Sequence, residues 1–199
     1  MNKGSKSYLI MGMGVIVVVM LGVFWTGYNS LVNKEENVME SWSQVESNLQ
    51  RKLDLLPNLV KVVKTYAKHE KELLTEITAL RANASSLLHD NNTLPNEAQI
   101  AKFSKMKQSL DTSLLKLFAV AENYPDLKSS EQFLQLQSQV EGAENRINIT
   151  RMQFNTSVGN FNAYMRTIPS NIIASIAGFQ RKAYFKAEQS AHKKLDLGL

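Results

Sequence analysis

The 199-residue sequence contains no cysteine and has only three histidines and four prolines. Without cysteine the chain cannot form a disulfide framework, a thiolate metal site, a cysteine nucleophile or a lipidated-cysteine anchor. The length fits one domain of ordinary size. These absences remove several classes of catalytic chemistry, but they do not identify the compartment, because a cysteine-free chain suits either redox environment.

Charged residues and histidine are absent between Lys6 and Lys34. Within this interval, residues 8–25 read YLIMGMGVIVVVMLGVFW. Extended to Tyr28, the run would measure about 30 Å as a helix, which matches the hydrocarbon core of a bilayer. The sequence therefore predicts a transmembrane helix.

The aromatic residues at the ends of this run favour a membrane anchor over a cleaved signal peptide. Tyr8 stands at one end, and Trp25 and Tyr28 stand at the other, as in the two interfacial aromatic belts. The apolar run is longer than that of a signal peptide, and no small-x-small cleavage pattern follows it. We therefore expect three parts: a short tail (1–7), a transmembrane helix (8–28) and a bundle domain (29–199).

The flanking charges predict the orientation of this helix. Lys3 and Lys6 precede it, whereas Lys34 is the only basic residue between it and Arg51, in a stretch that contains four glutamates. The positive-inside rule then places the N-terminus in the cytoplasm and the following domain on the other side of the membrane.

The net charge of +5 does not indicate a nucleic-acid partner. Two of the basic residues flank the anchor, and residues 34–199 carry 21 basic and 18 acidic residues of mixed distribution. Zinc-ligand spacing, RNA-binding aromatic motifs and a basic stripe with interleaved aromatics are all missing from the sequence. Mixed charges of this kind are typical of solvated helix faces.

A seven-residue repeat is the strongest pattern after the anchor. It alternates steps of four and three residues, which keeps one helix face toward a partner, and comprises Leu31, Glu35, Val38, Trp42, Val45, Leu49, Lys52, Leu56, Leu59, Val63, Tyr66, Glu70, Leu73, Ile77 and Leu80. Pro57 leaves the phase unchanged, which predicts a kink rather than a break. We expect one helix from Tyr8 to about Arg81, a rod of roughly 110 Å.

Two further helices follow a loop over Asn83–Pro95. The second should run from near Pro95 to Tyr124, with the stripe Ile100, Phe103, Met106, Leu110, Leu114, Leu117 and Ala121. The third should begin at a capping box of Ser129 and Gln132 and end before Pro169, with the stripe Phe133, Gln137, Val140, Glu144, Ile147, Arg151, Phe154, Val158, Phe161, Met165 and Ile168.

No strand-like alternation competes with these helices. The sequence predicts an all-α fold: an N-terminal transmembrane helix followed by an antiparallel bundle of three long helices and a short C-terminal segment, Asn171–Leu199. Polar residues interrupt the stripes at Lys52, Glu70, Glu144 and Arg151. Counting along an up-down-up arrangement predicts that Glu70 and Arg151 approach each other, the alternative being that each reaches solvent along a helix edge.

Candidate catalytic motifs are incomplete. His69-Glu70 begins a zinc-protease pattern, but position 73 is Leu where a second histidine is required. Glu-x-x-His pairs, nucleotide-binding loops and nucleophile elbows are missing as well, so we expect no catalytic, cofactor or metal site.

The C-terminal segment interleaves aromatic and basic residues: Phe179, Arg181, Lys182, Tyr184, Phe185, Lys186, Lys193 and Lys194. In one interpretation the aromatics enter a groove of the bundle and the basic residues stay in water. In the other, a basic amphipathic segment returns to anionic lipid headgroups. The sequence favours the groove and leaves the lipid interpretation open.

Two blocks of sequence resemble a known family. The first includes Trp42-Ser43-Gln44-Val45-Glu46, Asp54-Leu55-Leu56-Pro57-Asn58-Leu59-Val60 and Val63-Lys64-x-Tyr66-Ala67-x-His69-Glu70, and the second includes Glu141-Gly142-Ala143-Glu144-Asn145-Arg146-Ile147, Phe154-Asn155 and Phe161-Asn162. In these blocks the chain is similar to the LemA family of bacterial envelope proteins, although the family often has Tyr at positions 154 and 161. The resemblance implies a membrane helix, an antiparallel bundle, a scaffold or adaptor role, and no established enzymatic activity or cofactor.

The functional hypothesis is a non-enzymatic scaffold or adaptor anchored in the inner membrane of a bacterium, with lipid, envelope proteins or further copies of itself as partners. Family descriptions tend to place the short N-terminus outside the cell, against the charge argument above. One alternative is an accessory factor or substrate adaptor of a membrane metalloprotease, because genes of such proteases often neighbour family genes. Another is an enzyme that uses His69 and Glu70 with Arg151.

Overall fold

The computed structural model describes residues 3–88 and 94–186. Within these residues the chain forms helices and no strands, which confirms the all-α prediction. The six helices are α1 (Lys3–Tyr66), α2 (Lys71–Leu87), α3 (Glu97–Ala121), α4 (Pro125–Lys128), α5 (Glu131–Tyr164) and α6 (Ser170–Ala177).

The long helices run alternately up and down beside α1. We call the end of the bundle near Tyr28 proximal and the end near Tyr66 distal. α2 runs from the distal end toward the proximal end, and α3 runs back to the distal end. The short α4 crosses the distal end, and α5 runs along α1 to the proximal end. After α6 the chain reverses at Gly178, which has a positive φ of 77°, and an extended segment then runs toward the distal end.

The buried residues follow the predicted repeats closely. In α1 they include Leu31, Val38, Val45, Leu49, Lys52, Leu56, Leu59 and Val63, and in α3 every member of the predicted stripe is buried. α5 buries its stripe at Phe133, Val140, Ile147, Phe154, Val158 and Phe161. The seven-residue repeat therefore identifies most of the core in all three long helices, but α5 ends at Tyr164 rather than before Pro169, and Ile168, the last member of its predicted stripe, is 85% exposed.

The predicted rod from Tyr8 to Arg81 is wrong. α1 ends at Tyr66, and a four-residue turn reverses the chain into α2. The Arg81 guanidinium consequently reaches the backbone of Leu53, 28 residues earlier, at 3.1 Å. The repeat keeps its phase across the turn because it indicates only that one helix face is buried. It does not identify the helix that covers this face.

Several helix boundaries also differ from the prediction. α2 continues to Leu87, and α3 ends at Ala121. The expected capping box of Ser129 and Gln132 does not form, because the Ser129 hydroxyl donates to the Pro125 carbonyl. A capping box forms at α3 instead: the Asn96 side chain accepts from the Gln99 amide, and the Gln99 side chain accepts from the Asn96 amide, each at 2.9 Å.

α1 carries the candidate membrane span directly into the bundle. In the part of the chain that the structure describes, α1 alone is long and apolar enough to cross a membrane, and its apolar portion is unburied. Tyr8 and Trp25 are exposed on this portion, and Tyr28 is partly covered where the bundle begins. The helix passes from span to bundle without a linker, as the sequence predicts.

Pro57 lies inside α1, and α2 compensates for its missing amide. Proline has no N–H, so the carbonyl four residues earlier, that of Leu53, loses its helical donor. The Arg81 Nε donates to this carbonyl at 3.1 Å. A side chain of α2 therefore replaces the hydrogen bond that Pro57 removes from α1.

This arrangement predicts an energetic coupling between Pro57 and Arg81. Arg81→Ala should lower the free energy of unfolding by about 1–2 kcal/mol, because a part-buried carbonyl is left without a donor. In a Pro57→Ala background the same substitution should cost clearly less, because the alanine introduced there has a backbone amide that can donate to Leu53. Urea unfolding of the four detergent-solubilised proteins measures the coupling, and additive effects would contradict it.

Candidate functional site

Four charged residues from three helices form a closed ring inside the bundle. Each of the two lysines contacts both carboxylates: the Nζ–O distances are 2.5 Å for Lys52–Asp111, 2.6 Å for Lys52–Glu144, 2.7 Å for Lys107–Asp111 and 2.5 Å for Lys107–Glu144. We call this the ion-pair ring. It joins α1, α3 and α5 at one level.

The lysines of the ion-pair ring are more deeply buried than its carboxylates. Lys52 is 1% exposed and Lys107 is 3% exposed, whereas about a quarter of each carboxylate side chain reaches solvent. Burial acts to raise the pKa of the Glu144 carboxyl, but Lys52 and Lys107 outweigh it and lower that pKa to about 2. The Glu144 carboxyl therefore stays ionised at neutral pH.

The pKa of Lys107 shifts in the direction that keeps it charged. Burial acts to lower this pKa, but the hydrogen bonds and charges of Asp111 and Glu144 more than offset it and raise the pKa above 10.5. Because the two positive and two negative groups neutralise each other, the ion-pair ring offers no free proton donor or acceptor. A shift of α1, α3 or α5 along the bundle would separate these ions, so we expect the ring to favour one alignment of the three helices.

Of the four polar residues predicted in the stripes, the structure brings together Lys52 and Glu144 only. Glu70 accepts a hydrogen bond from the Tyr124 hydroxyl at the distal end, at 3.0 Å. Arg151 lies over the Phe185 ring, 4.8 Å from its centroid, at the level of Trp42. The predicted approach of Glu70 and Arg151 is therefore wrong, because it counted helix levels from a turn near Arg81 rather than near Tyr66.

Sequence reasoning missed Lys107 and Asp111. Both flank the apolar stripe of α3, next to Met106 and Leu110, and they are four residues apart. A charged i,i+4 pair at the edge of a stripe is ordinarily a surface pair. What distinguishes this pair from a surface pair is that Lys52 of α1 lies at the same level. The level of α3 relative to α1 depends on where α1 ends, which the sequence does not predict.

The extended segment after α6 enters the bundle between α3 and α5. Phe185 is 5% exposed and contacts three other rings, with centroid distances of 6.0 Å to Trp42, 5.6 Å to Phe103 and 5.4 Å to Phe154. We call these four rings the aromatic cluster. The aromatic residue at the end of the described segment thus completes the proximal core.

Two asparagines of α5 bind the backbone of this segment. The Asn162 side-chain amide accepts from the Lys182 N–H and donates to the Lys182 carbonyl, both at 2.9 Å. Asn155, one heptad earlier, makes the same pair of bonds with Phe185, at 2.9 and 3.0 Å. In each of the two Phe-Asn pairs, 154–155 and 161–162, the Phe ring therefore packs in the core and the Asn side chain binds the extended segment.

The basic residues of the segment have different surroundings. Lys182 pairs with Glu35 at 2.5 Å, and Lys186 pairs with Glu97 at 2.6 Å. Arg181 and Tyr184 are exposed. Lys193, Lys194 and the other residues of 187–199 lie outside the described residues.

An apolar groove with a basic rim opens at the distal end between α1 and α2. It has a volume of about 950 Å³ and is lined by Val60, Lys64, Lys68, His69, Lys71, Leu74, Thr75, Thr78, Ala79 and Ala82. We call it the distal groove. Three lysines and a histidine contribute to its lining, and carboxylates do not, so the groove presents positive charge around an apolar floor.

Groups able to bind a metal are not clustered in the described ranges. No three His, Cys, Asp or Glu side chains of residues 3–88 and 94–186 come together. His69 is exposed on the turn between α1 and α2, and His89 and His192 lie outside the described residues.

The fold and these sites define a helical bundle built on a helix that is a candidate membrane span. Comparison with known proteins narrows this class: the LemA family matches over residues 41–197, and the chain belongs to that family. It is 25% identical over 183 residues to Protein LemA of Metamycoplasma hominis, covering 90% of this chain and 80% of that protein.

Magnetosome proteins are also similar. The chain is 24% identical over 205 residues to Magnetosome protein MamQ 2 of Paramagnetospirillum magneticum, covering 94% of this chain and 74% of that protein. It is 23% identical over 201 residues to Magnetosome protein MamQ of Magnetospirillum gryphiswaldense, covering 93% of this chain and 74% of that protein. The relatives of this chain thus include proteins named for the magnetosome.

The ion-pair ring predicts a loss of stability in acid. Folding lowers the Glu144 pKa from 4.5 to about 2, so this contribution is complete above pH 4.5 and is lost as the pH falls toward 2. The loss should be about 2 kcal/mol after allowing for screening at the solvent-exposed edge of the carboxylate. Urea unfolding of the full chain in detergent at a series of pH values measures it.

Two substitutions on α5 separate the ion-pair ring from general acid effects. Glu144→Gln should lower stability at pH 7 by about 3 kcal/mol, because two buried lysines then share one carboxylate, and it should flatten the acid loss. Glu141→Gln, at an exposed position on the same helix, should change neither. An acid profile unaltered by Glu144→Gln would refute the assignment.

Proposed function

We propose that this protein is a non-enzymatic, membrane-anchored scaffold or adaptor of the bacterial cell envelope, which presents the distal groove to a partner protein. The observation that carries the proposal is the continuity of α1 from the candidate membrane span to the groove. Lys64 lies 36 residues beyond Tyr28, a height of about 54 Å at the helical rise. A linker-free helix holds the groove at that height.

The occupant that fits the distal groove is an acidic amphipathic segment of an envelope protein. Lys64, Lys68 and Lys71 line it beside the apolar Val60 and Leu74. Leucine-like side chains of a partner helix would cover the apolar floor, and its carboxylates would face the rim. A substrate or subunit of a membrane metalloprotease is one such partner, so the protease-adaptor alternative is a particular form of this proposal.

The enzyme alternative has less support from the geometry. It combines His69, Glu70 and Arg151, but Arg151 lies at the level of Trp42 while Glu70 lies beyond Tyr66. The 24 residues between Trp42 and Tyr66 correspond to about 36 Å of helix. The Glu70 carboxylate is also engaged by Tyr124. These groups cannot act on one substrate, and we do not propose an enzymatic role.

We propose further that the membrane is the inner membrane, with a cytoplasmic N-terminus and an extracytoplasmic bundle. Lys3 and Lys6 before the span support this orientation. A C-terminal fusion to a reporter that works only outside the cytoplasm should be active, and a fusion to one that works only inside should be inactive. The reverse pair of results would contradict the orientation.

The groove proposal predicts a charge-dependent crosslink. A photo-crosslinking residue at Ala79, in the groove, should form an adduct with a partner in intact membranes, whereas one at the exposed Gln139 on α5 should not. Mass spectrometry of the crosslinked peptide should show an acidic amphipathic segment. The double substitution Lys64→Glu and Lys68→Glu should reduce the adduct about tenfold or more, because it reverses the charge of the rim.

The matched control is Lys61→Glu, an exposed lysine on another face of α1. It reverses one charge on the same helix as Lys64, half the charge change of the double substitution, and should leave the adduct unchanged. An adduct that survives reversal of the rim, that involves a basic segment, or that joins two copies of this chain would overturn the proposed occupant.

A further inference from the structure

α6 lies beside the end of the candidate membrane span. Its Ile173 is buried against Gly27 of α1, where a Cβ atom would overlap the Ile173 Cδ1. The ring of Phe179, just after α6, lies 5.9 Å from that of Tyr28. Gly27 therefore allows α6 to pack directly on α1 at the height where the span is expected to end.

The opposite face of α6 is apolar and uncovered. Ile168 lies two residues before the start of α6, and Ile172 and Ile176 are four residues apart within α6, so these two project from one side of the helix. Ile168, Ile172 and Ile176 are 85%, 57% and 70% exposed. We call these three side chains the isoleucine face. An exposed apolar face of this kind marks an interaction site rather than ordinary surface.

The charges around α6 indicate the kind of partner. Residues 167–180 contain no ionisable side chain, and Arg166 and Arg181 stand immediately before and after them, both exposed. An apolar stretch with basic residues at both ends is typical of a segment that lies at the membrane surface, its apolar side among acyl chains and its arginines at the headgroups.

We propose that α6 inserts the isoleucine face into the bilayer beside the end of the span, as a second membrane contact of the bundle. The occupant of this face is lipid, because the face continues the exposed apolar surface of the span at the height of Gly27. The inference rests on the membrane span of the proposed function. With two contacts, the bundle is held against tilting about a single helix.

The absence of cysteine gives a direct experiment on the full chain. Single cysteines at Ile172 and Ile176 are labelled with an environment-sensitive fluorophore, and each protein is reconstituted in vesicles of phosphatidylcholine and phosphatidylglycerol. Quenching by spin-labelled lipid should be about threefold stronger at these positions than at Met152, an exposed apolar residue of α5. Quenching by iodide in the water should be correspondingly weaker.

A label at Val17, within the span, distinguishes the two ways in which the experiment can fail. If lipid quenches Val17 while both α6 labels behave like Met152, the span is correct and the α6 proposal is overturned. If the Val17 label is also in water, the membrane span itself fails. Disulfides between copies through position 172 or 176 would show that a second copy, not lipid, covers the isoleucine face.

Discussion

The alignment of the bundle depends on the ion-pair ring. Its two lysines are almost fully buried, and a shift of any one long helix by a heptad would separate a buried ion from its partners. Such a separation costs several kcal/mol, whereas the intact ring itself adds little stability over apolar residues. The ring therefore specifies the alignment by making arrangements with a shifted helix unfavourable. With this level fixed, the aromatic cluster forms closer to the candidate span, at a position where the extended segment can supply its fourth ring.

The continuity of α1 extends this alignment to the candidate membrane span. The same helix provides the candidate span, one lysine of the ion-pair ring and one wall of the distal groove. Because no linker separates these parts, the direction of the candidate span sets the direction of the whole bundle. Pro57 removes one helical hydrogen bond near the distal end of α1, and the hydrogen bond from Arg81 to Leu53 replaces it.

The sequence predicts which faces are buried far better than it predicts which faces meet. Burial is a local property with a period of 3.5 residues, so the apolar members of the predicted stripes are for the most part buried in α1, α3 and α5. The reversal after Tyr66 contains neither glycine nor proline, and the seven-residue repeat keeps its phase across it. No local feature of the sequence therefore predicts this turn. That one turn determines the levels of all later helices. Lys107, Asp111 and the separation of Glu70 from Arg151 could not be derived without it.

The residues that carry the family resemblance divide into two groups when their contacts are compared. Glu144, Asn155 and Asn162 have structural roles in the ion-pair ring and in binding the extended segment. Lys64 and His69 belong to the same resemblance, yet both are exposed at the distal groove. The contacts of the first group are made inside the fold, whereas the side chains of the second group face solvent at the groove. Exposed basic side chains beside an apolar floor are accessible to a partner, which is why the distal groove, rather than the charged interior, is the place to look for function.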